Sequence, residues 1–173
     1  MEVIVIAEGQ TEEQFIKRLV APALRHLQVY VKPQLLKTSK DSKGGAISFG
    51  RLKFNARNTL NSKSNVFLTT FIDLYALDTD FPEFDEAEKK MDVYSRVKCL
   101  EEALHSALIE QISCRPDRFL PHIQPYEFEG LLFSDVEALT CVEPSWNTCL
   151  SGLNIVRSKF ESPEHINDGY ETK

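Results

Sequence analysis

The chain is poor in glycine, in cysteine and in positive charge, with seven glycines and four cysteines among 173 residues and 26 acids against 20 bases, a formal net charge of −6. Each shortage excludes something. Too little positive charge argues against holding nucleic acid by bulk electrostatics. Carboxylates neutralised by divalent cations would nevertheless lower the net charge of a protein that still serves phosphates. Cys99, Cys114, Cys141 and Cys149 form no C-x-x-C pair and have no histidine at zinc-site spacing. Buried free thiols in a reducing cytoplasm are the expectation. No apolar run is long enough for a signal h-region or a membrane span, so a cytoplasmic protein with no membrane partner is expected. The sequence also lacks a G-x-x-x-x-G-K-[ST] loop, a G-x-G-x-x-G turn and a G-x-S-x-G elbow, which removes the commonest nucleotide and acyl-transfer sites.

What is present is organised around Val3-Ile4-Val5-Ile6-Ala7-Glu8-Gly9-Gln10-Thr11-Glu12-Glu13. Five apolar residues read as a strand buried on both faces, stopped by an acid and a glycine. Gly9 suits a tight turn, and Thr11 and the acids after it suit the first turn of a helix. In an open α/β sheet ligands collect at the carboxyl ends of strands, which is where Glu8 and Glu12 stand. For Glu12 a solvated loop acid is the plainer reading, and more so for Glu13.

Helical spacing of apolar residues runs from Thr11 to about Leu27, with Pro22 expected to end or kink the helix. Val29 to Leu36 alternates as a second strand, and Pro33 marks it as an edge or an irregularity. Lys37 to Gly45 reads as a basic, glycine-bearing loop, and Ile47 to Leu60 as a short basic helix. Lys43, Arg51 and Arg57 are the candidates for holding a nucleic-acid backbone, against simple solvation. Val66 to Ile72 is β-branched, aromatic and uncharged, a central strand that ends at Asp73. Asp78 and Asp80 fit a turn better than a metal pair. Glu83 to Ile112 reads as a long helix whose acids, Glu101 among them, form its solvated side. Phe119 to Pro125 reads as a proline-interrupted strand near a sheet edge, leading to Glu127 and Glu129. Ser134-Asp135 can cap a helix through Leu139, Trp146 to Phe160 reads as a further helix, and 161–173 reads as a polar tail, either a mobile end or the start of a truncated segment.

The fold expected is therefore one α/β domain over 1–160, with a mainly parallel sheet of about four strands flanked by helices. Three strand ends deliver Glu8, Asp73 and Glu127. Gathered carboxylates repel one another unless a cation sits among them, and hard oxygen donors favour Mg2+ or Mn2+ over zinc. Such a site opens phosphodiester chemistry on DNA or RNA.

These stretches, together with Thr69-Thr70-Phe71-Ile72-Asp73-Leu74-Tyr75 and Phe119 through Phe133, resemble the prokaryotic family called domain of unknown function 4276, and more broadly the Toprim fold of topoisomerases, primases and overcoming-lysogenization-defect nucleases. The resemblance implies a Toprim-like, Rossmann-like sheet with Glu8 and Asp73 as catalytic residues and Glu8, Glu12 and Asp73 at metal-holding positions; Glu127, from the third strand end, joins them as an expected metal ligand, with Asp78 and Asp80 as other substitutes for a missing acid. It also implies a nuclease of anti-phage or mobile-element defence that works with an ATPase partner. The second acid of the Toprim D-x-D pattern is Tyr75 in this chain, and Tyr126 stands where the family often has histidine. An inactive binding or regulatory module that partners an ATPase is the alternative.

Overall fold

A computed structural model describes residues 1–36, 46–62 and 64–166. The chain divides into two compact units, Met1–Gln124 and Pro125–Lys173. Among the described residues the strands all belong to the first unit: β1 (Glu2–Ala7), β2 (Tyr30–Leu35), β3 (Val66–Asp73), β4 (Phe119–Leu120) and β5 (Ile123–Gln124). The sheet order is β2-β1-β3-β4, with β5 also paired to β3, and every pairing is parallel. Consecutive strands on both sides of β1 create a topological switch between β1 and β3, the place where open α/β sheets bind ligands.

The pleat of β1 explains the layering. Ile4 and Ile6 point into the main core, with Leu52, Ala56 and Leu60 of α3 (Phe49–Ser62) and Leu100, Leu104 and Leu108 of α5 (Val93–Ile112). Val5 and Ala7 point to the other face, where they meet Ile16, with Phe15, Val31, Leu35 and Phe71 packed around them. A strand with both faces covered has no use for polar residues, which is why the first run reads as continuously apolar.

The N-terminal helix does not break at Pro22. It runs from α1 (Gln10–Phe15) through a π-helical turn (Ile16–Val20) into α2 (Ala21–Leu24). Proline has no N–H to donate and its ring crowds the carbonyl four residues back. The wider turn, with Ala21 N–H bonded to the Ile16 carbonyl, carries the helix past that position.

The long charged helix is two. α4 (Phe84–Glu88) ends before Asp92, whose carboxylate accepts the Ser95 N–H at 2.8 Å and starts α5 afresh. The Ser95 hydroxyl and then its N–H hold the Asp92 carboxyl below its ordinary value. A depressed carboxyl stabilises the fold above its unfolded value and ceases to do so as pH falls through the folded one. The first turn of α5 is therefore expected to loosen only as pH falls below the ordinary carboxylate range. Loss of Ser95 amide protection, taken relative to the intrinsic exchange rate at each pH, in wild type but not in Asp92→Asn is the check.

The proline-bearing edge appears as expected, divided into two two-residue strands on either side of Pro121. Thr70 closes the gap: its hydroxyl donates to the His122 carbonyl at 2.7 Å and accepts the His122 N–H at 2.8 Å. Glu101, expected on a solvated helix face, instead accepts the Ile123 N–H at 2.8 Å. Arg118 is buried, with its guanidinium donating to the carbonyls of Val66 and Leu60, both at 3.1 Å. It thereby satisfies the end of α3 and the start of β3 together.

In the second unit a 3-10 turn (Phe128–Ser134) leads to α6 (Val136–Val142), capped by Asp135 through the Ala138 N–H at 2.9 Å as the sequence suggests. Another 3-10 turn (Pro144–Cys149) then enters α7 (Leu150–Ser158). The expected polar tail is packed at its start: Ile166 is buried, and a Cβ at Gly130 would stand 2.9 Å from the Pro163 carbonyl oxygen and 3.1 Å from that of Ile166. Only glycine admits that approach without a backbone shift. The four cysteines are free but not buried. Cys99 and Cys114 are half-buried, and Cys141 and Cys149 are exposed in the second unit, where little interior is available to them. Among the described residues no helix is long and apolar enough to cross a membrane.

Candidate functional site

β1 and β3 run side by side in register, Ala7 opposite Phe71, so Glu8 and Asp73 leave the sheet at its carboxyl edge on adjacent strands. Adjacent strands lie about 4.8 Å apart. The two acid-bearing turns therefore start within one strand spacing of each other, on the two sides of the topological switch. Glu8 is exposed and Asp73 is half-buried. This much of the expected site is assembled by the sheet alone.

Glu12 stands one helical turn beyond Glu8, but its carboxylate has a structural task. Its Oε2 accepts the Gly9 N–H at 2.9 Å, the reach-back half of a capping box. Gly9 has no side chain to reciprocate, and its Cβ position lies only 2.9 Å from the same oxygen. Glu13 pairs with Lys17 at 2.7 Å on the helix surface. The capping role of Glu12 and any chemical role can be separated by substitution. Glu12→Gln retains an oxygen acceptor for Gly9 and is expected to unfold within a degree or two of wild type. Glu12→Ala should lose about 1 kcal/mol. Thermal unfolding of both variants decides this, and loss of any activity in Glu12→Gln at unchanged stability would add a chemical role to the cap.

The loop after β3 fixes the other rim. Asp80 accepts the Phe49 N–H at 2.8 Å and so caps α3 from a distance, while Asp78 accepts from Thr79 N–H at 2.7 Å. Both acids serve turn and cap, in line with the turn reading. Ile47 bridges to Leu77 beside them, which ties the start of α3 to the carboxyl edge. Arg51, half-buried on the first turn of α3, is thus near that edge. Arg57 is six residues further, about 9 Å down the helix. It lines instead a cleft of about 270 Å³ with Lys53, Phe54 and Gln111. Lys43 lies outside the described residues. Tyr75, at the position where a second Toprim acid is expected, is 59% exposed.

Glu127 belongs to the second unit, half-buried just ahead of the turn Phe128–Ser134, and its carbonyl accepts the Gly130 N–H at 3.0 Å. Glu129 is exposed on the same turn. Among the described residues no three histidine, cysteine, aspartate or glutamate side chains stand together as a metal-holding group. His105 stacks on Phe119 at 6.2 Å between ring centroids and meets the Pro116 carbonyl at 3.0 Å, and His122 stacks on Phe71 at 5.8 Å with its Nδ1 3.7 Å from the Glu101 carboxylate.

Residues 7–173 match the family described as Domain of unknown function (DUF4276). The chain belongs to that family. No curated protein and no solved structure matches it. The DUF4276 match begins at Ala7, so it takes in the Glu8 turn, β3 with Asp73 and the whole second unit. It carries a family without an assigned chemistry, and the chemistry has to be argued from the site.

One residue at that site had no signal in the sequence. Gln124 of β5 pairs with Asp73 in register, is 3% exposed, and its Nε2 has no hydrogen-bond partner among the described residues. A lone glutamine before a proline carries no motif. Only the pairing with β3 shows where it is.

Proposed function

We propose that this DUF4276 chain is a divalent-metal-dependent phosphodiester hydrolase, a nuclease subunit of prokaryotic defence against phage or mobile elements. The observation that carries this is the pair of acids, Glu8 and Asp73, ending adjacent parallel strands at the topological switch. The role in defence and the ATPase partner that would gate it rest on the resemblance alone.

The donor set suits one cation class in particular. Magnesium keeps several waters and is commonly held by one or two carboxylates together with substrate phosphates, rather than by a closed protein cage. Two acids without a third are enough for that arrangement, and Mn2+ accepts the same donors. When bound, the cation would offset charge on the phosphate and activate water. Asp73, half-buried at the strand end, is the residue suited to hold it. Exposed Glu8 can hold it too, or take a proton from the attacking water. Arg51 at the same edge offers a charged donor to a backbone phosphate.

A second reading has its own support. Tyr75 in place of an acid, Glu12 committed to Gly9 and the lack of a three-acid group among the described residues favour a regulatory module that partners an ATPase without cutting. Incubating the protein with plasmid DNA, single-stranded DNA and transfer RNA in magnesium, manganese or chelator separates the two. Cation-dependent cleavage of at least one substrate is expected. No cleavage of any, with stable co-purification of an ATPase, would replace the nuclease by the module.

A further inference from the structure

The paired ends of β3 and β5 hold a donor with nothing to donate to. Ile72 and Ile123 are opposite each other and both face the main core. Side chains alternate along a strand, so the next pair, Asp73 and Gln124, shares the opposite face of the sheet, the one that carries Phe71. Gln124 is 3% exposed, and its Nε2 is buried without a hydrogen-bond partner among the described residues. A buried amide left in this state bears its full desolvation cost, and native structures rarely retain one without a reason in function. The same sequence position could be filled by an apolar side chain at no such cost.

We propose that Gln124 is a ligand-binding residue of this site, and that its Nε2–H donates to an oxyanion, a phosphate oxygen of a nucleic-acid strand, brought to the carboxyl end of β3. The inference rests on the reading of Glu8 and Asp73 as a phosphodiester site. A neutral amide is a fitting donor beside Asp73, because it binds a phosphate oxygen without neutralising the carboxylate that the cation needs. Access is from the tip of β3, where Asp73 is half-buried and Tyr75 exposed. The orphaned donor then acquires its partner when substrate arrives, so part of the free energy spent on burying it returns as binding.

The test crosses stability with binding. Thermal unfolding is measured for wild type, Gln124→Met and Gln124→Glu, in chelator, with and without inorganic phosphate or a short single-stranded DNA oligonucleotide. Gln124→Met removes the orphan at similar volume, so it should melt several degrees higher than wild type without ligand, yet lose the ligand-induced shift. Gln124→Glu keeps the shape but replaces the donor with a charged acceptor, and should also lose the shift, with affinity down about tenfold or more. If Gln124→Met melts lower than wild type, or if either variant keeps the wild-type shift, the proposal is overturned; if Met does not fold, Glu alone decides. A wild type that shows no shift with either ligand overturns it as well. Cleavage in magnesium is scored separately: a wild type that binds through Gln124 but does not cut overturns the nuclease alone, and one that cuts while the Gln124 variants bind normally overturns this inference alone.

Discussion

If the proposed nuclease reading holds, Asp73→Asn is expected to lose metal-dependent cleavage by about a hundredfold or more, and Glu8→Gln by a comparable factor, with nucleic-acid binding expected to stay close to wild type in both. Both substitutions keep side-chain size and remove the negative charge, and both side chains already make contacts in the fold, so stability has to be measured beside activity. The Asp73 carboxylate does not cap the short turn Leu74–Ala76 that follows it, so its replacement takes no cap away from the backbone. Glu8 is exposed, which makes Gln a mild change there. Melting temperatures within a few degrees of wild type would show that the fold is intact and the loss chemical. Cleavage that survives both substitutions would end the assignment of the site. A sharper comparison is the double variant: if the two acids serve one cation, removing the second after the first costs little more, whereas independent roles would multiply.

The strand ends were the legible part of this site. An apolar run broken by an acid is visible in sequence because a doubly covered strand leaves no other place for charge, and β1 and β3 both show it. The interrupted strand at the edge was legible for the same kind of reason, since Pro121 and Pro125 cannot sit inside a ladder. The roles of individual acids were not. Glu12, Asp80 and Glu101 each accept a backbone N–H, from Gly9, Phe49 and Ile123, and the last two of these contacts join residues 31 and 22 positions apart. Charge pattern along a helix cannot reveal a partner that far away. Gln124 was invisible for the opposite reason: its meaning lies wholly in its neighbour across the sheet. The division at Gln124 and Pro125 had no compositional mark either, because the second unit is built of short turns and helices without a long apolar period.

Phe119→Ala is expected to cost about 3–5 kcal/mol, much the largest single effect on stability among the edge residues. Phe119 is fully buried in the main core, opposite Leu68 in register, and its ring lies parallel to that of His105 at an interplanar angle of 3°. A domain of this size is stable by about 5–15 kcal/mol, so the substitution removes a large part of the total and should lower the melting temperature by about 10 °C or more. The next residue provides the control. Leu120 is 62% exposed on the opposite face of the same two-residue strand, and Leu120→Ala should change stability by no more than about 0.5 kcal/mol. Equal losses from the two would mean that the face assignment of β4 is wrong, and with it the placement of the strand pair at the edge. The comparison therefore bears on function as well as stability. Gln124 faces Asp73 only because β4 and β5 hold their register on β3, and Phe119, with the Thr70 bonds to His122, is what fixes that register.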